Sequence, residues 1–368
     1  MKQFLIILAV LGIIGAGVVE WANAAWQAPG LPAPSGNETV ILIPPHMRTH
    51  DVAQLLEQRG VTKYGLLFEL DLRMRGLASK VKAGEYAIPS RASMAAIADI
   101  LVAGKSIQHK LTAAEGLTSD MIWKLVQSDP VLIGDAGPAP QEGTLLPETY
   151  LFTRGETRAH LLAKMAEAQK KFLAAHWAGR TQGLPFKDMR TAVTLASIVE
   201  KETALPEERR HIASVFVNRL KAGMKLQSDP TIIYGITRGY PLGRGIRQSE
   251  IDGATPYNTY AIVGLPPGPI CNPGKDSLAA VLDPEQTGDL YFVANGKGGH
   301  VFAATIGEHG RNVLAYRNME RQASHQVQDP AGRLANAPVS APQVSVPALP
   351  TAAHKGAHKP SHKRHSHR

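Results

Sequence analysis

Apolar positions along the chain fall into three patterns. The first is a continuous run over residues 4–19, relieved only by glycines, which ends at Glu20 and is followed by Trp21, a residue suited to a membrane interface. Its sixteen residues are short for a spanning helix, and Ala22-Asn23-Ala24 fits the small-residue pattern of a signal-peptidase site. A retained anchor and a leader cleaved after Ala24 both fit the run, and either carries residues from 30 onward across a membrane.

The second pattern, over residues 39–106, alternates short strands with amphipathic helices. Residues 40–43 and 85–88 predict strands. Val52, Leu55 and Leu56 space a helix that Thr49 can cap and Gly60 ends. A second helix is predicted over residues 63–75, and Met94, Ile97 and Leu101 line a third between Ser93 and Gly104. Ahead of this α+β module, residues 26–38 hold three prolines, two glycines, Ser35 and Asn37, which reads as a linker.

The third pattern is mostly helical and covers residues 107–322. A strand at 107–111 leads to a Thr118-capped helix at 119–127, then to a Gly/Pro-rich loop ending in Leu146-Pro147-Glu148-Thr149-Tyr150. Leu161, Leu162, Met165, Ala168 and Phe172 make the inner face of a helix over 157–177, and Pro206 opens another with Ile212, Val215, Phe216 and Leu220 inward. Apolar runs at 290–293 and 300–304 flank Asn295-Gly296-Lys297-Gly298-Gly299, a hairpin pattern. A last helix is predicted over 308–322. From 323 the Ala/Pro/Ser/Val-rich stretch and closing Lys/His run bury nothing and predict disorder.

One block stands apart. Residues 191–199 are nearly all apolar and run straight into Glu200-Lys201-Glu202-Thr203. At helical pitch Glu202 follows Leu195, Ile198 and Val199, whereas Glu200 follows Val193, Ala196 and Ser197, so the two carboxyls point to different sides. A carboxyl held against apolar surface keeps its proton to higher pH, as a general acid requires. Helix-end glutamates in solvent, paired with Lys201, Arg209 or Arg210, fit the same residues.

Composition narrows the picture. A length of 368 residues at 44% hydrophobic content suits two folded domains with appendages. The formal charge of +9 resembles that of a nucleic-acid binder until it is located. Residues 324–368 hold six Lys/Arg against Asp329 alone, which leaves about +4 on the rest and makes nucleic acid an unexpected partner. The single cysteine, Cys271, excludes an internal disulfide and a cysteine-based metal cluster. Phosphate-loop, Gly-x-Ser-x-Gly and His-Glu-x-x-His motifs are absent.

What remains is a set of amides, phenols and carboxylates. They lie in Leu226-Gln227-Ser228-Asp229-Pro230-Thr231, in Pro256-Tyr257-Asn258-Thr259-Tyr260 and beside the rigid Gly264-Leu265-Pro266-Pro267-Gly268-Pro269. Such groups around a protonated carboxyl suit sugar recognition. Two plainer roles stay open: Asp229 can cap a short helix with Pro230 in its first position, and the aromatics of the Tyr257 cluster can belong to a core.

Ala196 to Thr203, Asn218-Arg219-Leu220 with Gly223-Met224, the 226–231 block with Tyr234-Gly235, Thr255 to Tyr260, Gly264 to Gly268, and Gly298-Gly299-His300 with Phe302 together resemble the endolytic murein transglycosylases of the MltG (YceG-like) family. The resemblance implies a bacterial inner-membrane anchor, a LysM-like domain and a lytic-transglycosylase domain in the periplasm, and no cofactor or metal. The fold is then an α+β chain: membrane segment 1–25, linker 26–38, LysM-like domain 39–106, mostly helical catalytic domain with a β-hairpin 107–322, and disordered basic tail 323–368.

By the same resemblance Glu202 is the essential acid, Glu202-Thr203 corresponding to the Glu-Ser pair of other lytic transglycosylases. Leu226-Gln227 and Tyr257-Asn258 resemble the substrate-contacting motifs of those enzymes, so Gln227, Tyr257, Asn258 and Tyr260 are the candidates for holding the sugar, with Asp229, Glu200 and Glu148 as weaker ones. The implied substrate is the glycan strand of nascent peptidoglycan, cut between N-acetylmuramic acid and N-acetylglucosamine to leave a 1,6-anhydro end that terminates elongation. The implied partners are the inner membrane and the peptidoglycan synthase machinery. Two other functions fit the residues: a hydrolytic muramidase using Glu202 with Asp229 or Glu200, and a wall-binding scaffold without activity. Cys271 and the His-rich tail match nothing in the resemblance.

Overall fold

Residues Lys2–Gln27 form one helix, α1, in which Ala9–Gln27 is long and apolar enough to cross a membrane. The structure, a computed structural model, describes residues 2–34 and 36–326, so the expectation of a disordered tail falls, from 327 onward, outside the described residues. The end of α1 is packed. Trp26 stacks on Phe68 with ring centroids 5.8 Å apart and is buried in the core of the following module. The segment expected to be linker therefore begins with a core residue, because a large indole next to available apolar surface buries itself.

That module comprises β1 (Glu38–Ile43), α2 (Thr49–Gln58), α3 (Gly65–Met74), β2 (Gly84–Pro89) and α4 (Met94–Ala103). The two strands pair antiparallel with Ile41 opposite Tyr86, and Ile41 and Ile43 point inward while Val40 and Leu42 face out. Ser93 caps α4, accepting from Ala96 N at 3.2 Å, and Gly104 ends it at φ 71°, where a glycine is strain-free. Thr49 is not a cap. It is the first helical residue of α2, and its hydroxyl donates to Ala78 O at 3.3 Å.

The larger part holds β3 (His109–Thr112), α5 (Ser119–Ser128), β4 (Thr149–Phe152), α6 (Arg158–Trp177), α7 (Met189–Glu202), α8 (Arg209–Lys221), α9 (Asp229–Thr237), α10 (Gln248–Ile251), α11 (Lys275–Leu282), β5 (Tyr291–Ala294), β6 (His300–Ala303) and α12 (Ile306–Gln326). Helix α12 thus runs four residues beyond its predicted end. Strand β4 pairs antiparallel with β3, Tyr150 opposite Leu111. Its four residues behind a Pro-rich loop carried no period to read. β5 and β6 form the predicted hairpin, with Gly296 and Gly298 at positive φ in its turn.

Two cores meet along α6. Leu161, Leu162 and Met165 pack with Leu111, Ile122, Val126 and Phe152, whereas Leu173 packs with the α7 core. Every residue from Ala192 to Val199 is buried, since α8, α9 and α11 all pack on α7. A helix apolar on all sides requires that environment. Ser197 turns its one polar atom to use: its hydroxyl donates to Thr194 O at 2.8 Å and accepts from Ile270 N at 3.0 Å, fastening the Pro-rich 264–270 loop to α7.

Candidate active site

Glu202 is the last residue of α7, and Thr203 behind it is extended. The hydroxyl of Thr203 accepts from Leu205 N at 3.0 Å and turns the chain. Glu208, one turn on, accepts from the backbone N and the ring Nδ1 of His300, both at 2.7 Å, and so fixes the hairpin to the segment that follows Glu202.

The carboxyl of Glu202 is enclosed although the residue keeps some access to solvent. Burial, reinforced by the nearby charge of Asp229, pushes its pKa up to about 7, against the opposing pull of the Ser228 hydroxyl and of the Arg219 guanidinium. Ser228 Oγ donates to Glu202 Oε1. Ser228 is itself held in a buried hydroxyl network: its N donates to Thr259 Oγ1 at 2.9 Å, its O accepts from Thr231 Oγ1 at 2.6 Å, and the two threonine hydroxyls are 2.9 Å apart. Gln227, just before it, sits at φ 53°, an uncommon conformation for a residue with a side chain. This turn delivers Ser228 inward and leaves the Gln227 side chain exposed.

Removing the Ser228 hydroxyl takes away a donor that favours the ionised form. Ser228→Ala is therefore expected to raise the Glu202 pKa further and move the alkaline limb of the activity profile upward. A profile unmoved by the substitution would show that the contact does not bear on the proton.

Asp229 is the first residue of α9, not its cap; Ser228 holds the cap position and spends its hydroxyl on Glu202. The Asp229 carboxylate accepts from Tyr260 OH at 2.7 Å. Tyr257 tilts against Tyr234 with centroids 4.8 Å apart and stays partly open. Asn258 departs from its expected sugar contact. It is 1% exposed; its Nδ2 donates to the carbonyls of Ile251 at 2.8 Å and Gly253 at 2.6 Å, and its Oδ1 accepts from Tyr260 N at 2.9 Å. Its amide is consumed in shaping the loop that carries the two tyrosines.

Glu200 and Glu148 lie apart from this group. Glu200 accepts from Gly274 N at 2.8 Å at the start of α11, and Glu148 pairs with Lys275 at 2.6 Å. Glu115 joins them, its pKa raised by partial burial and then by the Glu200 charge, and Arg209 stands 3.4 Å from Asp276 and 3.7 Å from Glu115. A concavity of about 550 Å³ opens beside Arg209 and Asp276 and takes in none of Glu202, Ser228, Asp229 or Tyr260.

Sequence reasoning named neither Ser228 nor Arg219 as a site residue. Arg219 is buried, donates from Nε to Leu290 O at 2.6 Å and from Nη1 to Leu226 O at 2.7 Å, and its Cζ lies 5.3 Å from the centre of the Tyr291 ring. It ties the segment leading to Ser228 to the residue before β5, at the start of the hairpin. Its position one turn after Val215 and Phe216, on the inward stripe of α8, was the signal: a cation on a buried face needs partners.

These features define a site with one protonable carboxyl, steadied by a buried hydroxyl and fronted by phenols and an exposed amide. The chain belongs to the YceG-like family, whose profile matches residues 41–315. It is 29% identical over 367 aligned residues to an endolytic murein transglycosylase of Streptococcus pneumoniae, covering 86% of this chain and 65% of that protein. The chain thus spans just under two thirds of the length of that relative. To the endolytic murein transglycosylase of Bacillus subtilis it is 38% identical over 178 residues, 48% of each protein. A crystal structure of a yceG-like protein from Listeria monocytogenes aligns with a TM-score of 0.45 at 28% identity, covering 75% of this chain and 99% of the other.

Proposed function

We propose that the chain is an endolytic peptidoglycan lytic transglycosylase, held in the bacterial inner membrane by α1 with its catalytic part in the periplasm. Membership of a family with relatives named endolytic murein transglycosylases supports the substrate class. The observation that carries the mechanism is the state of Glu202: an enclosed carboxyl with a pKa of about 7 can both give and take a proton near neutral pH. Glu202 donates its proton to the β-1,4 glycosidic oxygen as the bond from that oxygen to C1 of N-acetylmuramic acid breaks, and the oxygen leaves as the 4-hydroxyl of the N-acetylglucosamine that begins the released part of the strand. The resulting carboxylate takes the proton of the muramic acid C6 hydroxyl as O6 closes on C1, leaving a 1,6-anhydro end. Nucleophile and electrophile share one sugar, so no second carboxylate is required. Tyr257, Tyr260 and the exposed Gln227 side chain are the groups placed to hold the sugars. Cutting strands within their length sets that length and ends elongation.

The test is mass spectrometry of products from polymerised, uncrosslinked glycan. Anhydro ends are expected. Reducing ends, one water heavier, would favour hydrolysis with Asp229 as the second acid and sink the lyase reading.

A further inference from the structure

Helix α3 has three faces, and only two of them are covered. Phe68 and Leu72 point into the module core and are fully buried. The two ends meet α1: the Tyr64 ring lies 6.1 Å edge-on from Trp21, while Arg75 donates to Asn23 Oδ1 at 3.2 Å and covers the Trp26 ring at 4.7 Å. The third face carries Leu66, Leu70 and Met74, which are 77%, 52% and 69% exposed. Spaced at i, i+4 and i+8, they form a continuous apolar stripe on the outside of the protein.

The contacts with α1 orient that stripe. Trp21 and Trp26 are separated by about 7 Å of helix rise, whereas Tyr64 and Arg75 are separated by about 16 Å. Helix α3 therefore crosses α1 more nearly across it than along it, just where the apolar run of α1 ends. With α1 passing through a bilayer, α3 lies along its surface, core above and α1 beside, and the remaining face turns toward lipid. Lys63 lies in line with the stripe and Arg73, paired with Glu69 at 2.6 Å, lies beside it; cations there are the charge that anionic head groups attract.

We propose that the Leu66, Leu70 and Met74 face of α3 rests in the bilayer interface that α1 enters, so that the small module is seated on the membrane and holds the catalytic part at a set height above it. This rests on the reading of α1 as a membrane anchor.

The test uses the full-length chain in vesicles of phosphatidylethanolamine and phosphatidylglycerol. An environment-sensitive maleimide dye is placed in turn at Leu70→Cys, at Ile14→Cys within α1 and at Lys297→Cys in the exposed hairpin turn. The native chain is the blank, because Cys271 is fully buried and burial pushes its thiol pKa well up. The dye at 70 is expected to shift to the blue and to be quenched by a shallow lipid-borne nitroxide, and the dye at 14 to shift to the blue and to be quenched by a nitroxide deeper in the acyl chains, with neither change at 297. Met74→Cys repeats the measurement should Leu70→Cys disturb the fold. A dye at 14 quenched and dyes at 70 and 74 in water would overturn the proposal and leave the anchor intact. Dyes at all three positions in water would overturn both. A blue shift at 70 without lipid quenching would overturn the proposal and assign the stripe to a protein partner.

Discussion

Glu202→Gln is expected to retain glycan binding and release no anhydro-muropeptides from strands that the native chain cuts, a loss of at least about 10²- to 10⁴-fold. The amide keeps the volume and the contact with Ser228 but has no proton to give at accessible pH. Full activity in this variant would falsify Glu202 as the acid, and its rescue of a deletion strain would favour the scaffold alternative.

The same substitution has a stability consequence with a definite sign. Glu202 ionises near pH 7 in the folded chain but near 4.5 in the unfolded one, so the folded state binds its proton more tightly. Below pH 4.5 the group is protonated in both states and carries no penalty. Between about pH 4.5 and pH 7 the unfolded chain gives up this proton while the folded chain keeps it, so stability falls, and above pH 7, where the folded protein buries the charge, the full cost of about 3 kcal/mol at most is reached. The native chain and the Glu202→Gln variant should therefore have similar Tm values at about pH 4, diverge between about pH 4.5 and pH 7 with the variant melting higher, and stay a constant distance apart above that. Parallel Tm curves across that range would mean that the carboxyl is not enclosed in solution.

Arg219→Ala is expected to lower Tm by on the order of 10 °C and to abolish activity in the same stroke. The substitution leaves Leu226 O buried and Leu290 O partly buried without their donor and opens a cavity beside Tyr291, together worth about 3 kcal/mol. Arg219→Lys keeps the charge but cannot span both carbonyls with one planar fork, so it should recover only part of the loss. Activity follows stability here because the segment through Leu226 sets the turn at Gln227 and hence the Ser228 contact. Unchanged melting in Arg219→Ala would show that neither carbonyl depends on it.

Legibility in the sequence followed the range of the interactions. Ser93 and Thr118 cap helices as the sequence implies, each accepting from the backbone N three residues on, because a cap is satisfied within one turn; Thr157, expected as the first residue of its helix, does the same from the cap position. Thr49 and Asp229 have the same residue character but sit one position inside their helices, and their side chains reach partners 29 and 31 residues away. Asn258 suggests a sugar contact by the company it keeps in sequence. Three carbonyls, of Glu250 and Ile251 in α10 and of Gly253 just after it, claim its amide instead.

The block that ends α7 separates the two kinds of information. Periodicity alone determined that residues 192–199 are a buried helix and that Glu200 and Glu202 leave it on different sides, since both follow from a rise and a turn per residue. Which carboxyl can hold a proton at neutral pH was decided only by the tertiary structure. Glu200 faces the Gly274 amide at the start of α11, while Glu202 meets Ser228, Asp229 and Arg219, brought in from 17 to 27 residues further along the chain. A pKa reflects the water and charge within a few ångströms of the group, and no local pattern specifies what folding places there.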